Sequence, residues 1–104
     1  MNDLVTDMHQ DAAEESFSRD LPIVNKKGLH ARATAKFVQC CEKFDAVITV
    51  SRGDETVGGS SIMGILTLGA GQGSTITVTA TGPQAKAALD ALETLVANRF
   101  GEDE

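Results

Sequence analysis

Apolar residues recur along the chain at two periods, and each change of period marks a new structural element. Short runs rich in β-branched residues, one of them returning after a turn at 52–54, predict four strands: 21–25, 46–51, 55–57 and 75–80. Apolar residues at helical spacing predict three helices: 31–43, 62–68 and a long one opened by Pro83. The order β-α-β-β-α-β-α predicts an α+β fold, a four-stranded antiparallel sheet with three helices on one face.

The helical periodicity also predicts which residues form the core. The inner face of the first helix should consist of Thr34, Phe37, Val38, Cys41 and Phe44. The last helix should bury Ala85, Ala88, Leu89, Leu92, Leu95, Val96 and Phe100. No apolar run approaches the length that spans a membrane, so no insertion is expected.

Charge is concentrated at the two ends of the chain. The 104 residues suffice for one domain and carry a formal net charge of −6. Residues 1–20 hold six acids and one base, and residues 102–104 are all acidic. We therefore predict a flexible acidic extension at 1–20, a domain at 21–101 and an acidic tail at 102–104. Basic residues do not cluster with aromatic ones, which argues against nucleic-acid binding.

The two cysteines are adjacent, at positions 40 and 41, inside a predicted helix. A disulfide between such neighbours is badly strained, so both are expected as reduced thiols, Cys41 on the buried face and Cys40 at its edge. Reduced thiols, with no basic segment followed by an apolar stretch at the N-terminus, predict a cytoplasmic protein. A redox pair is the alternative interpretation of the two cysteines. No His or Cys spacing indicates a metal site.

The main candidate for chemistry is His30, in the run Gly28-Leu29-His30-Ala31-Arg32. It stands where the first helix begins, so unpaired N–H groups and the positive end of the helix dipole surround its imidazole. Arg32 adds a guanidinium, and phosphate is the group that such a setting suits. The alternative reading is a helix-capping surface histidine without chemistry.

A second motif lies further along the chain. Gly58-Gly59-Ser60-Ser61 interrupts the periodicity and offers capping hydroxyls for the short helix, which Gly69 can end in a left-handed conformation. Ser61-Ile62-Met63-Gly64 begins 31 residues after His30. Together the two motifs resemble those of the HPr family, the histidine-containing phosphocarriers of the bacterial phosphotransferase system, over about residues 21–100.

The resemblance implies an HPr-like open-faced β-sandwich and a role for His30. This residue would accept phosphate from phospho-enzyme I on Nδ1 and pass it to a IIA protein or domain. Ala31 and Arg32 would hold the phosphoryl group. The protein would be a monomer without a cofactor. It would be modified stoichiometrically, as a carrier and not as an enzyme in the turnover sense.

The resemblance also assigns roles to the second motif. Ser61 would be a regulatory phosphorylation site for an HPr kinase/phosphorylase, with Ser60 as the competing hydroxyl. Ile62, Met63 and Leu66 would bind partners, with burial in the core as the alternative for the first two.

Two other functions remain open at this point. A nitrogen-related HPr-like carrier would keep the chemistry but serve regulation without sugar transport, and Ala33 and the stretch 56–59 suit it. A docking regulator would act through Ile62, Met63 and Leu66 without carrying phosphate. A hydrolase is disfavoured because no general base or metal cluster is evident beside His30 in the sequence.

Overall fold

A computed structural model of the protein describes residues 15–102. The strands are β1 (Ser16–Pro22), β2 (Val47–Arg52), β3 (Glu55–Gly58) and β4 (Thr75–Thr81). The helices are α1 (Ala31–Cys41), α2 (Ile62–Thr67) and α3 (Ala85–Ala97), followed by a 3₁₀ turn at Arg99–Gly101. All strand pairs are antiparallel in the order β1-β4-β2-β3, which confirms the predicted α+β fold and its order of elements.

One face of the sheet and the three helices enclose a single apolar core. Val50, Ile76 and Val78 project from the sheet into it and are fully buried. The predicted inner faces of α1 and α3 are confirmed within the helices, with Leu95 only partly buried. Phe44 and Phe100 lie beyond the helix ends, the first partly and the second fully buried. The helices therefore cover one side of the sheet, as the apolar patterning predicted.

The opposite face of the sheet is lined by hydroxyl side chains. Ser18 and Thr79 form a hydrogen bond across β1 and β4 with 2.7 Å between their oxygens, and Ser51 and Thr56 do so across β2 and β3 at 2.8 Å. Strand neighbours on this face satisfy one another's polar groups, so no further layer is required there.

The boundary predicted at residue 20 is wrong for residues 16–20, because they form most of β1. This edge strand pairs with β4 along its whole length. Its inward Arg19 lies 2.7 Å from Asp90 and 2.8 Å from Glu93 of α3, in place of an apolar contact. Backbone pairing and ion pairs leave no apolar alternation to detect. Residues 1–14 and 103–104 of the predicted extension and tail lie outside the described part of the chain.

The third helix begins later than Pro83 suggested. Gly82 has φ +131°, and α3 starts at Ala85 with Gln84 as its N-cap residue. The side chain of Gln84 accepts a hydrogen bond from the backbone N–H of Asp45 at 2.7 Å, which ties this turn to the loop between α1 and β2. Pro83 therefore lies in the turn before the helix.

Candidate functional site

A tight loop connects β1 to the start of α1. Gly28 has φ +64°, and a Cβ atom there would lie 2.5 Å from the carbonyl oxygen of Ala70 and 2.7 Å from Cα of Gly71. The N–H of Leu29 donates to the same carbonyl of Ala70 at 2.9 Å. Only glycine combines this conformation with such close backbone contact, so the loop after α2 fixes the position of His30.

His30 is the N-cap residue of α1, but its side chain makes no capping hydrogen bond. The N–H groups of Ala31 and Arg32 have no hydrogen-bond partner among residues 15–102, as expected for the first turn of a helix. The imidazole is 25% exposed, and Arg32 is exposed beside it. His30, Ala31 and Arg32 therefore all lie at the start of α1, where unpaired N–H groups and the helix dipole favour an anionic group.

A carboxylate that sequence reasoning missed contacts the imidazole. Nε2 of His30 lies 2.5 Å from Oε2 of Glu102, whose side chain is only 12% exposed. Asn25 is fully buried, and its Nδ2 donates to Oε1 of Glu102 at 3.2 Å and to the carbonyl of Gly28 at 2.8 Å. The prediction of an acidic tail at 102–104 is wrong for Glu102, because its carboxylate is held in the site.

An unusual backbone turn brings Glu102 back to His30. Arg99 and Phe100 both have positive φ, 57° and 56°, although neither is glycine. Phe100 is buried, and its carbonyl accepts a hydrogen bond from Nζ of Lys36 on α1 at 2.7 Å. The N–H of Glu102 then donates to the carbonyl of Arg99 at 2.9 Å. Such residues cost roughly 1–2 kcal/mol each, so anchoring contacts are needed to hold this turn.

Burial and the surrounding groups shift the pKa of the Glu102 carboxyl in opposite directions. Burial alone would raise its pKa, but hydrogen bonds from His30 and Asn25, with the nearby charge of Lys27, outweigh burial and lower the pKa below its usual value. Glu102 is therefore ionised at neutral pH and acts as an acceptor only.

Ser61 lies at the start of α2 and caps the helix. Its Oγ accepts a hydrogen bond from the N–H of Gly64 at 3.0 Å, which confirms the predicted N-cap. A Cβ atom at Gly64 would lie 2.8 Å from this Oγ, so the glycine leaves room for the cap. Ser60 is exposed and makes no side-chain hydrogen bond with the described residues.

The side chains after Ser61 are on the surface. Ile62 is 43% exposed and Met63 is 71% exposed, while Leu66 is partly buried and Ile65 carries the packing of α2. Burial in the core, the alternative considered for Ile62 and Met63, is therefore excluded. Two large apolar side chains next to a helix start form a surface that a partner can cover.

The remaining candidates add no second centre to the described part of the molecule. Cys40 and Cys41 are both free thiols, Cys41 buried and Cys40 partly so. Burial raises the pKa of both thiols, that of Cys41 to about 12, which makes them poor nucleophiles. Within residues 15–102 no three His, Cys, Asp or Glu side chains could hold a metal ion, and no helix is long and apolar enough to cross a membrane.

Fold and site together define a class of protein. A sheet covered on one side by helices carries a partly exposed histidine at a helix start with unpaired N–H groups, a setting that suits an anionic group such as phosphate. The model of the family described as "PTS HPr component phosphorylation site" matches residues 17–98. The chain belongs to the HPr family, the phosphocarrier proteins of the phosphotransferase system. The match starts inside β1, in agreement with the corrected start of the domain.

Named relatives of two kinds resemble the chain. Phosphocarrier protein HPr of Cupriavidus necator is 50% identical over 86 residues, which are 83% of this chain and 97% of that protein. Phosphocarrier protein NPr of Shewanella violacea is 44% identical over 84 residues, 81% of this chain and 92% of that one. A crystal structure of HPr from Thermoanaerobacter tengcongensis superposes with a TM-score of 0.81 at 40% identity, covering 85% of this chain and 99% of the other.

Proposed function

We propose that the protein accepts a phosphoryl group on His30 from phospho-enzyme I and passes it to a IIA protein or domain. The observation that supports this most directly is the open start of α1. There a partly exposed imidazole and the unpaired N–H groups of the first turn lie at the start of the helix, and the exposed Arg32 follows within the same turn.

The chemistry of that site suits a reversible carrier. A neutral imidazole is an available nucleophile near neutral pH. The phosphoryl group it gains is anionic, so the helix N-terminus and Arg32 stabilise it. Charge effects at a helix terminus amount to about 0.3–1 kcal/mol, which is weak enough for the group to be released again. The partners then supply most of the alignment for transfer.

Intact-mass analysis after incubation with phosphoenolpyruvate and enzyme I tests the proposal. The chain holds two histidines, so His9→Ala is the matched control for His30→Ala. Wild type and His9→Ala should gain one acid-labile phosphoryl group of about 80 Da, and His30→Ala should gain none. Phosphorylation of His30→Ala, or of no variant by enzymes I active on other carriers, would refute the proposal.

Ser61 is proposed as the regulatory phosphorylation site, for an enzyme of the HPr kinase/phosphorylase type. A phosphate on its Oγ would replace the cap to Gly64 and place about −2 charge units beside Ile62 and Met63. Docking of a partner on these side chains would then be opposed by repulsion and by desolvation of the phosphate.

Relatives named HPr and NPr both match the chain closely, so a nitrogen-related regulatory carrier is the second candidate. The two differ in the donor that phosphorylates His30 and not in the chemistry. Parallel phosphorylation rates with a sugar-type and a nitrogen-type enzyme I distinguish them, because the cognate donor should be faster. The free thiols support a cytoplasmic location in either case.

The exposed side chains of Ile62 and Met63 support a docking surface at the start of α2. If docking serves phosphotransfer, Met63→Glu should accept phosphate but slow its delivery to IIA. If the protein is instead a docking regulator, His30→Ala should retain full regulatory activity while Met63→Glu loses it. Measuring the regulatory activity of both variants distinguishes the phosphocarrier from the docking regulator.

A further inference from the structure

The contact between Glu102 and His30 determines which ring nitrogen carries the proton. An ionised carboxylate can only accept hydrogen bonds, so Nε2 of His30, 2.5 Å from Oε2 of Glu102, must be the donor. A neutral imidazole carries a single N–H, and with that hydrogen on Nε2 the lone pair of Nδ1 is free.

We propose that Glu102, held in place by Asn25, is a positioning residue that keeps His30 in the Nε2–H tautomer and thereby presents Nδ1 to the phosphoryl donor. This inference rests on the proposed function of His30 and adds the groups that select its reactive atom. It also gives the C-terminal turn at Arg99–Gly101 a role in the chemistry, because that turn carries Glu102 to the ring.

Phosphoryl transfer to Nδ1 requires no loss of a proton from His30. The lone pair of Nδ1 forms a bond to phosphorus while the bond between phosphorus and the donor's atom breaks, and that electron pair leaves with the donor. The ring keeps its hydrogen on Nε2 and becomes cationic. Glu102 contacts the side of the ring where that N–H lies, so its charge stabilises the cation. Passing the phosphoryl group onward reverses these changes.

The surroundings of Glu102 are costly for the fold, which supports a functional role. Two successive residues that are not glycine, Arg99 and Phe100, adopt positive φ to place it. Asn25 is fully buried, yet its Oδ1 has no hydrogen-bond partner within the described residues. A buried amide with one unpaired oxygen is a poor choice for stability alone. Its Nδ2, in contrast, is aimed at both Glu102 and the loop before His30.

Nitrogen-15 NMR of the imidazole of His30, combined with phosphorylation rates, tests the proposal. Wild type should show Nε2–H as the dominant neutral tautomer. Glu102→Ala should show a mixture of tautomers and accept phosphate about tenfold more slowly, as expected for losing one charge-assisted hydrogen bond. Glu102→Gln keeps an acceptor oxygen, so it should retain the tautomer while the loss of charge still slows the reaction.

Glu55→Ala is the control variant, because Glu55 is an exposed carboxylate in the β2–β3 hairpin and its loss changes the net charge equally. It should match wild type in tautomer and rate. A backbone amide spectrum of each variant verifies the fold. If Glu102→Ala keeps both the Nε2–H tautomer and the wild-type rate, the inference is wrong while phosphorylation of His30 stands. If wild type is not phosphorylated on His30, the proposed function fails instead.

Discussion

The starts of α1 and α2, where the two candidate phosphorylation sites lie, are built in opposite ways. At the start of α1 the N-cap residue His30 leaves the first N–H groups unpaired and turns its ring toward Glu102. At the start of α2 the N-cap residue Ser61 uses its own hydroxyl to satisfy the N–H of Gly64. The first site is open to an anion, and the second is closed by a bond within the chain.

This difference indicates how the two positions would respond to phosphate. A phosphoryl group on His30 would meet unpaired donors and displace no bond in the first turn of α1. A phosphate on Ser61 must first break a cap worth about 1 kcal/mol. The open start suits a group that is exchanged repeatedly. The closed start suits a modification made by a dedicated enzyme and kept until it is removed.

The largest expected effect comes from disrupting the contact between the loop before α1 and the loop after α2. Gly28→Ala places a Cβ against the backbone of Ala70 and Gly71 with φ at +64°, so we expect unfolding to become easier by about 3 kcal/mol. Urea denaturation measures this free energy. Gly53→Ala is the control, since Gly53 has φ +62° with nothing within 4 Å. Equal losses in the two variants would show that the contact with Ala70 costs nothing.

The open start can be weakened by removing its guanidinium. Arg32→Ala should slow phosphorylation of His30 by about tenfold, because a charge-assisted hydrogen bond to the phosphoryl group is lost. Stopped-flow or quenched-flow phosphotransfer from enzyme I measures the rate. Lys86→Ala removes a positive charge from the exposed side of α3 and should leave the rate unchanged. A rate for Arg32→Ala equal to that of Lys86→Ala would remove Arg32 from the site.

The closed start can be opened by deleting its cap. Ser61→Ala should lower the free energy of unfolding by about 1 kcal/mol because the N–H of Gly64 loses its acceptor. Ser60→Ala is the control for Ser61→Ala. If the two serine variants are equally stable, the cap contributes nothing.

The smallest expected effect is a dependence of stability on pH through Glu102. Its pKa is lowered in the folded protein, so its contribution is complete above the ordinary value of 4.5 and is lost as the pH falls through the lowered pKa. The difference in unfolding free energy between wild type and Glu102→Gln should therefore shrink between pH 7 and pH 3. Glu55→Gln controls for the loss of one charge. A difference that stays constant over this range would contradict the lowered pKa.

The sequence allowed good prediction where the contacts are local. The start of α1 at His30, the cap by Ser61 and the left-handed Gly69 each depend on a few neighbouring residues, and the structure has all three. Glu102 was missed because its partner His30 is 72 positions away and because Arg99 and Phe100, in the turn that joins them, adopt positive φ without being glycine.

The first strand was predicted at 21–25 but lies at Ser16–Pro22, and its first five residues were missed for a related reason. Residues 16–20 are strand because β4 offers an edge to pair with and because α3 offers carboxylates to Arg19. Neither partner is visible in the local pattern of apolar and polar residues, which in this segment is mostly polar. Tertiary pairing thus decided the structure of a segment whose own sequence is typical of an extension.

The turn at Arg99–Gly101 also determines where a reporter group can be attached. A dye or an affinity sequence fused directly behind Glu102 would sit beside the imidazole and compete with docking proteins for the same space. A reporter attached ahead of Ser16 enters at the other end of β1, a strand roughly 20 Å long that ends near the loop leading to His30. Immobilisation through the N-terminal edge therefore leaves the phosphate site accessible for binding measurements.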